Sequence, residues 1–139
     1  MAYTNTKQKG DEAELAALIF FKQHQFSVSV PFGENTPYDL IVESPTGTLS
    51  RIQVRWCSWN KGTLRLSIRT ISKNYCRTLD LSRIDAFLAW DGECAYIVPT
   101  VDLEGCTSNV TLRREPPKNN QSKGVRLAKD FLEAVHLLG

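Results

Sequence analysis

No apolar run in the 139-residue sequence approaches the ~20 residues that a membrane-spanning helix needs. The opening Met1-Ala-Tyr-Thr-Asn-Thr-Lys-Gln-Lys-Gly is polar and lacks the apolar core of a signal peptide, so the cytoplasm is the expected location. Cysteine is sparse and scattered. Cys57, Cys76, Cys94 and Cys106 form no Cys-x-x-Cys pair and have no histidine close by, which argues against a zinc cage. In a reducing compartment the same spacing argues against disulfides. There is no internal repeat, no heptad run and no long low-complexity segment. Acidic residues are almost missing from Arg51 to Arg83, where eight Lys/Arg stand against Asp80 alone. From Ile84 to Gly105 the reverse holds, with five acids and no base. Between Arg113 and Arg126 five bases again outnumber one acid. A net charge of +2 is uninformative, but this segregation makes a basic zone suited to a polyanion.

What is present fits one globular domain over residues 1–139. Hydrophobic content of 42% and charge of 23% are ordinary for that class. A chain of this length buries roughly two-thirds of its unfolded surface around a single core. The pattern from Asp11 to Gln25 predicts an N-terminal helix with Leu15, Leu18, Ile19 and Phe21 as its apolar stripe and Asp11 as its cap. Phe26 to Val30 alternates with period two and predicts a strand. Tyr38 to Glu43 and Thr48 to Trp56 predict two more, joined by the turn Ser44-Pro45-Thr46-Gly47. Thr63 to Arg69 sets Leu64, Leu66 and Ile68 against Arg65, Ser67 and Arg69. Ile84 to Trp90 and Ala95 to Val98 flank Asp91-Gly92-Glu93, a hairpin turn by composition. Arg114 to Gln121 reads as a basic loop. Lys123 to Leu137 predicts a C-terminal amphipathic helix, with Val125, Ala128, Phe131, Leu132 and Val135 inward. The expected fold class is mixed α/β, a central sheet flanked by an N-terminal and a C-terminal helix.

The hairpin at Pro45–Gly47 has chemical consequences. Asp39 lies seven residues before Thr46 and Gln53 seven after it, so a regular antiparallel hairpin sets them opposite each other on one face. Arg55 follows Gln53 by two and shares that face, while Ile52, Val54 and Trp56 point to a core. A carboxylate, an amide oxygen and a cation on neighbouring strands suit Mg²⁺, which takes one or two carboxylates plus waters and substrate phosphate. A metal there polarises a scissile phosphate and acidifies the attacking water, and the cation offsets transition-state charge. The competing reading is a surface Asp–Arg pair on an exposed sheet, worth under ~1 kcal/mol.

Residue identities favour the first. Pro37-Tyr38-Asp39, followed by Gln53-Val54-Arg55, resembles the signature of the PD-(D/E)XK nucleases. Lys9-Gly10-Asp11-Glu12-Ala13-Glu14-Leu15, Pro37-Tyr38-Asp39-Leu40 and Ile52-Gln53-Val54 further resemble the group I intron homing endonucleases of cyanobacterial type within that superfamily. The similarity runs from about Lys9 to Ala134 and includes Ile84-Asp85-Ala86-Phe87 and Tyr96-Ile97-Val98-Pro99. It implies a restriction-endonuclease-like core, with Asp39 as the central metal ligand. It further implies Gln53 contributing its side-chain oxygen, the Val54 carbonyl completing that shell, and Glu14 supplying a helix carboxylate. By position alone, Glu14 could instead close a capping box with Asp11. Arg55 departs from the family pattern, which has lysine there. Arginine keeps the charge and can fork onto phosphate, but it is bulkier and does not lose its proton.

The implied function is Mg²⁺-dependent hydrolysis of double-stranded DNA, with Mn²⁺ able to substitute. Arg65, Arg69, Lys73 and Arg77 form one candidate DNA zone, and Arg113, Arg114, Lys118 and Lys123 a second. A domain this small covers little duplex, so recognition of a long site implies a homo-oligomer, a dimer or tetramer. Two rivals share the core: a Holliday-junction or repair nuclease, and a catalytically degenerate DNA-binding protein, for which Arg55 is the best argument.

Overall fold

The computed structural model describes residues 6–33, 35–71, 76–106, 108–117 and 125–139. Strong helix formers open the chain and give α1 (Thr6–Gln23), the one α-helix among the described residues. It begins before Asp11, which therefore lies inside the helix and caps nothing. Its end is a Schellman closure. The Phe26 amide donates to the Phe21 carbonyl at 3.0 Å and the Gln25 amide to that of Lys22 at 3.1 Å, with Gln25 left-handed at φ 68°. The Phe21 and Phe26 rings meet across this closure, 5.4 Å between centroids. The buried face is Ala13, Ala17, Phe20 and Phe21, so of the expected stripe Phe21 is buried and Leu18 packs against the core, whereas Leu15 and Ile19 are 60% and 58% exposed. Two adjacent stripes were available, and the one carrying two alanines lets the helix lie closer to the sheet.

The strands are β1 (Ser27–Ser29), β2 (Leu40–Glu43), β3 (Leu49–Trp56), β4 (Trp59–Asn60), β5 (Thr63–Ser67), β6 (Arg69–Ile71), β7 (Cys76–Thr78), β8 (Ala86–Trp90), β9 (Ala95–Pro99) and β10 (Asn109–Arg113). The central sheet has the order β1-β2-β3-β8-β9, with β3 and β8 parallel and the other pairs antiparallel. It is a mixed sheet, as expected. A smaller antiparallel sheet, β10-β5-β4, forms a second layer, and β6 pairs with β7. Alternation along β8 supplies both faces of the central sheet. Ala86 and Leu88 join Leu40, Val42, Ile52 and Val54 against α1, whereas Phe87 and Ala89 join Leu64, Leu66, Val110 and Leu112 of the second layer. At the start of β3, Arg51 pairs with Asp85 at 3.0 Å and takes the same carboxylate on its backbone amide at 2.7 Å.

The C-terminal segment corrects the expectation of a helix over Lys123–Leu137. It contains two short 3₁₀ turns, Ala128–Asp130 and Val135–Leu138. Its backbone is spent on strand edges instead. Arg113 donates to the Arg126 carbonyl at 2.8 Å, Ile97 to that of Phe131 at 2.9 Å, and Glu133 to that of Ala95 at 2.9 Å. Glu133 sits at φ 48°, which an α-helix cannot accommodate. The buried residues Ala128, Phe131 and Ala134 recur every three positions, and Leu132 is exposed. Apolar spacing close to a helical period thus serves a covering strap whose hydrogen bonds run to β9 and β10.

Phe21 is fully buried between α1 and the sheet. Its replacement by alanine is expected to cost about 3–5 kcal/mol of unfolding free energy, read from urea melts. A loss below about 1 kcal/mol would contradict this packing.

Candidate active site

The strand β2 pairs only with the first half of β3, ending at Leu40 opposite Ile52. The strand β8 pairs with the second half, from Ile52 opposite Ala86 to Trp56 opposite Trp90. Past Ile52, therefore, the β2 side of β3 lies open. Asp39 sits at this fork. Its amide donates to the Ile52 carbonyl at 2.8 Å, and its Oδ2 accepts the Val54 amide at 2.9 Å, in place of the strand partner that β2 no longer provides. Extending the register by one step sets Asp39 opposite Gln53, the relation that the hairpin spacing predicts.

Through the same opening Glu14 approaches Asp39 from the helix side, close enough for the two carboxyls to perturb each other. Glu14 lies in the middle of α1, far from its first turn, so the capping-box reading falls. Two contacts fix the helix at this azimuth. Trp90 Nε1 donates to Glu12 Oε2 at 3.1 Å, and Lys9 Nζ lies 5.8 Å from the Trp56 ring centre. Glu12 thus ties the helix to the end of β8, a contact that no local sequence pattern signals.

The electrostatics follow from crowding two carboxylates at a partly dry edge. Glu14 is raised above its ordinary range by desolvation, then by the charges of Asp39 and Asp11. Asp39 is also raised by desolvation, against the opposing effects of the Val54 amide and the Arg55 charge. Arg55 is held below its ordinary range by burial, partly offset by Asp39, and its Nε is buried with no hydrogen-bond partner among the described residues. Two residues on, burial pushes the Cys57 thiol up to about 12, so it is an inert member of the core.

A scan against protein families matches residues 4–134 to the PD-(D/E)XK endonucleases. The chain belongs to that family. Among solved structures, the bacterial homing endonuclease I-Ssp6803I matches with a TM-score of 0.73 at 23% identity, over 96% of this chain and 92% of that one. The likeness shows a common fold. A search of the curated proteins finds no match.

In this PD-(D/E)XK endonuclease the four expected site residues lie about the fork: Glu14 beside Asp39, Arg55 near enough for its charge to act on Asp39, and Gln53 opposite Asp39 by extension of the strand register. The basic residues are distributed differently from the two zones the sequence suggests. Val110 and Leu112 face inward from β10, a strand the sequence reading missed despite its period-two alternation. Thr111 lies opposite Arg65, and Arg113 opposite Thr63, so Arg65 and Arg113 are diagonal neighbours on one outer face. Arg69 is exposed at the start of β6, and Arg77 lies in β7 opposite Thr70. Arg114 turns onto the Trp59 ring, with its guanidinium carbon 4.2 Å from the ring centre. Lys73, Lys118 and Lys123 lie outside the described residues. Among the described residues no helix is long and apolar enough to cross a membrane.

Proposed function

We infer that this endonuclease hydrolyses phosphodiester bonds of double-stranded DNA in a homing-type reaction that depends on Mg²⁺, with Mn²⁺ able to substitute. The observation that carries this reading is the meeting of the Glu14 and Asp39 carboxyls at the β2–β3 fork beside Arg55. Two carboxyls brought together, with Arg55 the nearby positive charge among the described residues, suit a hard divalent cation, and two carboxylates with an amide and a carbonyl oxygen are the donors Mg²⁺ accepts. Asp39, Glu14, the Gln53 side-chain oxygen and the Val54 carbonyl would hold it. When bound, the ion supplies Lewis-acid polarisation of the scissile phosphate and a more acidic water.

The chain's own residues do the rest. The Val54 amide fixes the Asp39 carboxylate, so it needs little reorganisation on loading. Arg55 offers its guanidinium to the phosphate from a site of reduced solvation, where a charge acts more strongly than in water. The basic outer face carrying Arg65 and Arg113 would follow the backbone of the duplex. The exposed Leu15 and Ile19 on α1 support assembly into a homo-oligomer, a dimer or tetramer, in the cytoplasm.

Mg²⁺-dependent cleavage of linear duplex and of a four-way junction, compared side by side, tests this reading. Cutting confined to linear duplex is expected. Preference for the junction would favour a resolving or repair role, and tight binding without cutting would favour a degenerate DNA-binding protein. Affinity should also fall steeply with salt, by about 0.9 counterions per neutralised phosphate. Replacing Arg65 and Arg69 by alanine should shallow the log–log slope by about one unit per lost contact. An unchanged slope would take the DNA off this face.

A further inference from the structure

Four residues beyond Arg55, at the end where β3 and β8 run out together, a second constellation is built that the cleavage chemistry does not use. Asp91 stands at the β8–β9 turn and is fully engaged. Its Oδ1 accepts the Glu93 amide at 2.8 Å and the Cys94 amide at 2.7 Å, and its Oδ2 accepts Trp59 Nε1 at 2.8 Å and Tyr96 Oη at 3.4 Å. Burial alone would raise this carboxyl; these donors outweigh it and hold it below its ordinary range. The indole is thereby locked by its edge, with Tyr96 packed against it at 6.1 Å between ring centres. On the ring lies the Arg114 guanidinium, 4.2 Å from the centre, with its backbone pinned by the Arg114 amide to the Gly62 carbonyl at 2.9 Å.

The guanidinium lies on the π face, and among the described residues no hydrogen bond from its N–H groups is seen. A cation stacked on an aromatic ring loses side-chain freedom before its ligand arrives, and its planar fork matches the oxygens of a phosphate. Beside it opens a cavity of about 460 Å³ whose lining includes Lys129 and the acids Asp91, engaged as above, and Glu93. Four extended residues span at most ~14 Å, so Trp59 lies within that reach of Arg55.

We propose that Asp91 and Trp59 form a positioning pair that presets Arg114 as a clamp for a DNA phosphate outside the Asp39 centre. The proposal rests on the nucleic-acid part of the function inferred above and not on cleavage, so it holds even for a chain that binds without cutting. Asp91 and Trp59 touch no DNA. They act through Arg114, by converting a flexible surface arginine into an oriented one.

The test is the salt dependence of binding to a short mixed-sequence duplex without divalent metal. Arg114→Ala should shallow the slope by about 0.9, and Arg114→Lys should restore it. Trp59→Leu should shallow it by the same amount, and the double variant Trp59→Leu/Arg114→Ala no further. A Trp59→Leu protein with the full slope, or additive losses in the double variant, overturns the positioning role. The indole Nε1–H resonance of Trp59 in the unsubstituted protein gives a readout that no folding defect can confound. It should shift as duplex is added, and the same titration of Arg114→Ala should leave it in place. An unmoved resonance at saturating duplex, or an equal shift in both proteins, overturns the clamp. Binding without cutting would count against the nuclease reading alone, whereas no binding at any salt would end both.

Discussion

Asp39→Asn should abolish cleavage in Mg²⁺ while leaving duplex affinity within a few-fold of the original. Asparagine keeps an acceptor for the Val54 amide that Asp39 now takes at 2.9 Å, so the fork holds its geometry. It removes the charge on which a divalent cation depends, and it leaves Glu14 without a carboxylate partner. The loss should be at least on the order of 10³-fold in single-turnover rate, about 4 kcal/mol in the barrier. Affinity should survive because phosphate attraction comes from the basic strands and not from the fork. A variant that cuts normally would remove Asp39 from the centre of the mechanism.

The second large effect is expected at Arg55. Its Nε is buried without a partner among the described residues, and such an unsatisfied group costs about 1–3 kcal/mol. A lysine there would bring a compact ammonium with no Nε to orphan, and it would match the family pattern at this position. Arg55→Lys should therefore retain fold and DNA binding and raise cleavage by on the order of tenfold, about 1.4 kcal/mol. Arg55→Ala should bind duplex but not cut it. Alanine cutting as fast as arginine would make the position structural. A protein that binds tightly yet cuts with neither arginine nor lysine would be a DNA-binding relative of the family.

The mixed α/β fold was legible in the sequence, and so was the grouping of the candidate site residues, for a physical reason. Opposition of Asp39 and Gln53 depends only on a short turn and the period of two along a strand, both local. Burial of Ile52 and Val54 on the other face follows from the same period. The helix forms and turns Phe21 and Leu18 to the core as expected, but Leu15 and Ile19 face outward, because which stripe is buried depends on how closely the helix can approach a sheet that sequence does not display. The C-terminal strap was misjudged for a similar reason. Spacing of apolar residues fixes which side chains face inward, but not whether the backbone bonds to itself or, as at Ile97 and Ala95, to a strand edge. The Asp91–Trp59–Arg114 stack joins residues 32 and 55 positions apart from Trp59 in the chain, and no local pattern carries it.

The measurement that bears most directly on the central claim is single-turnover cleavage of linear duplex with Mg²⁺ present, with Mg²⁺ chelated, and with chelation reversed by Mn²⁺. If Glu14, Asp39 and Gln53 form a divalent-metal centre, cutting should occur with Mg²⁺, stop with the chelator and return with Mn²⁺. Asp39→Asn should be silent under all three conditions. Cutting that persists through chelation, or that survives in Asp39→Asn, would contradict the account.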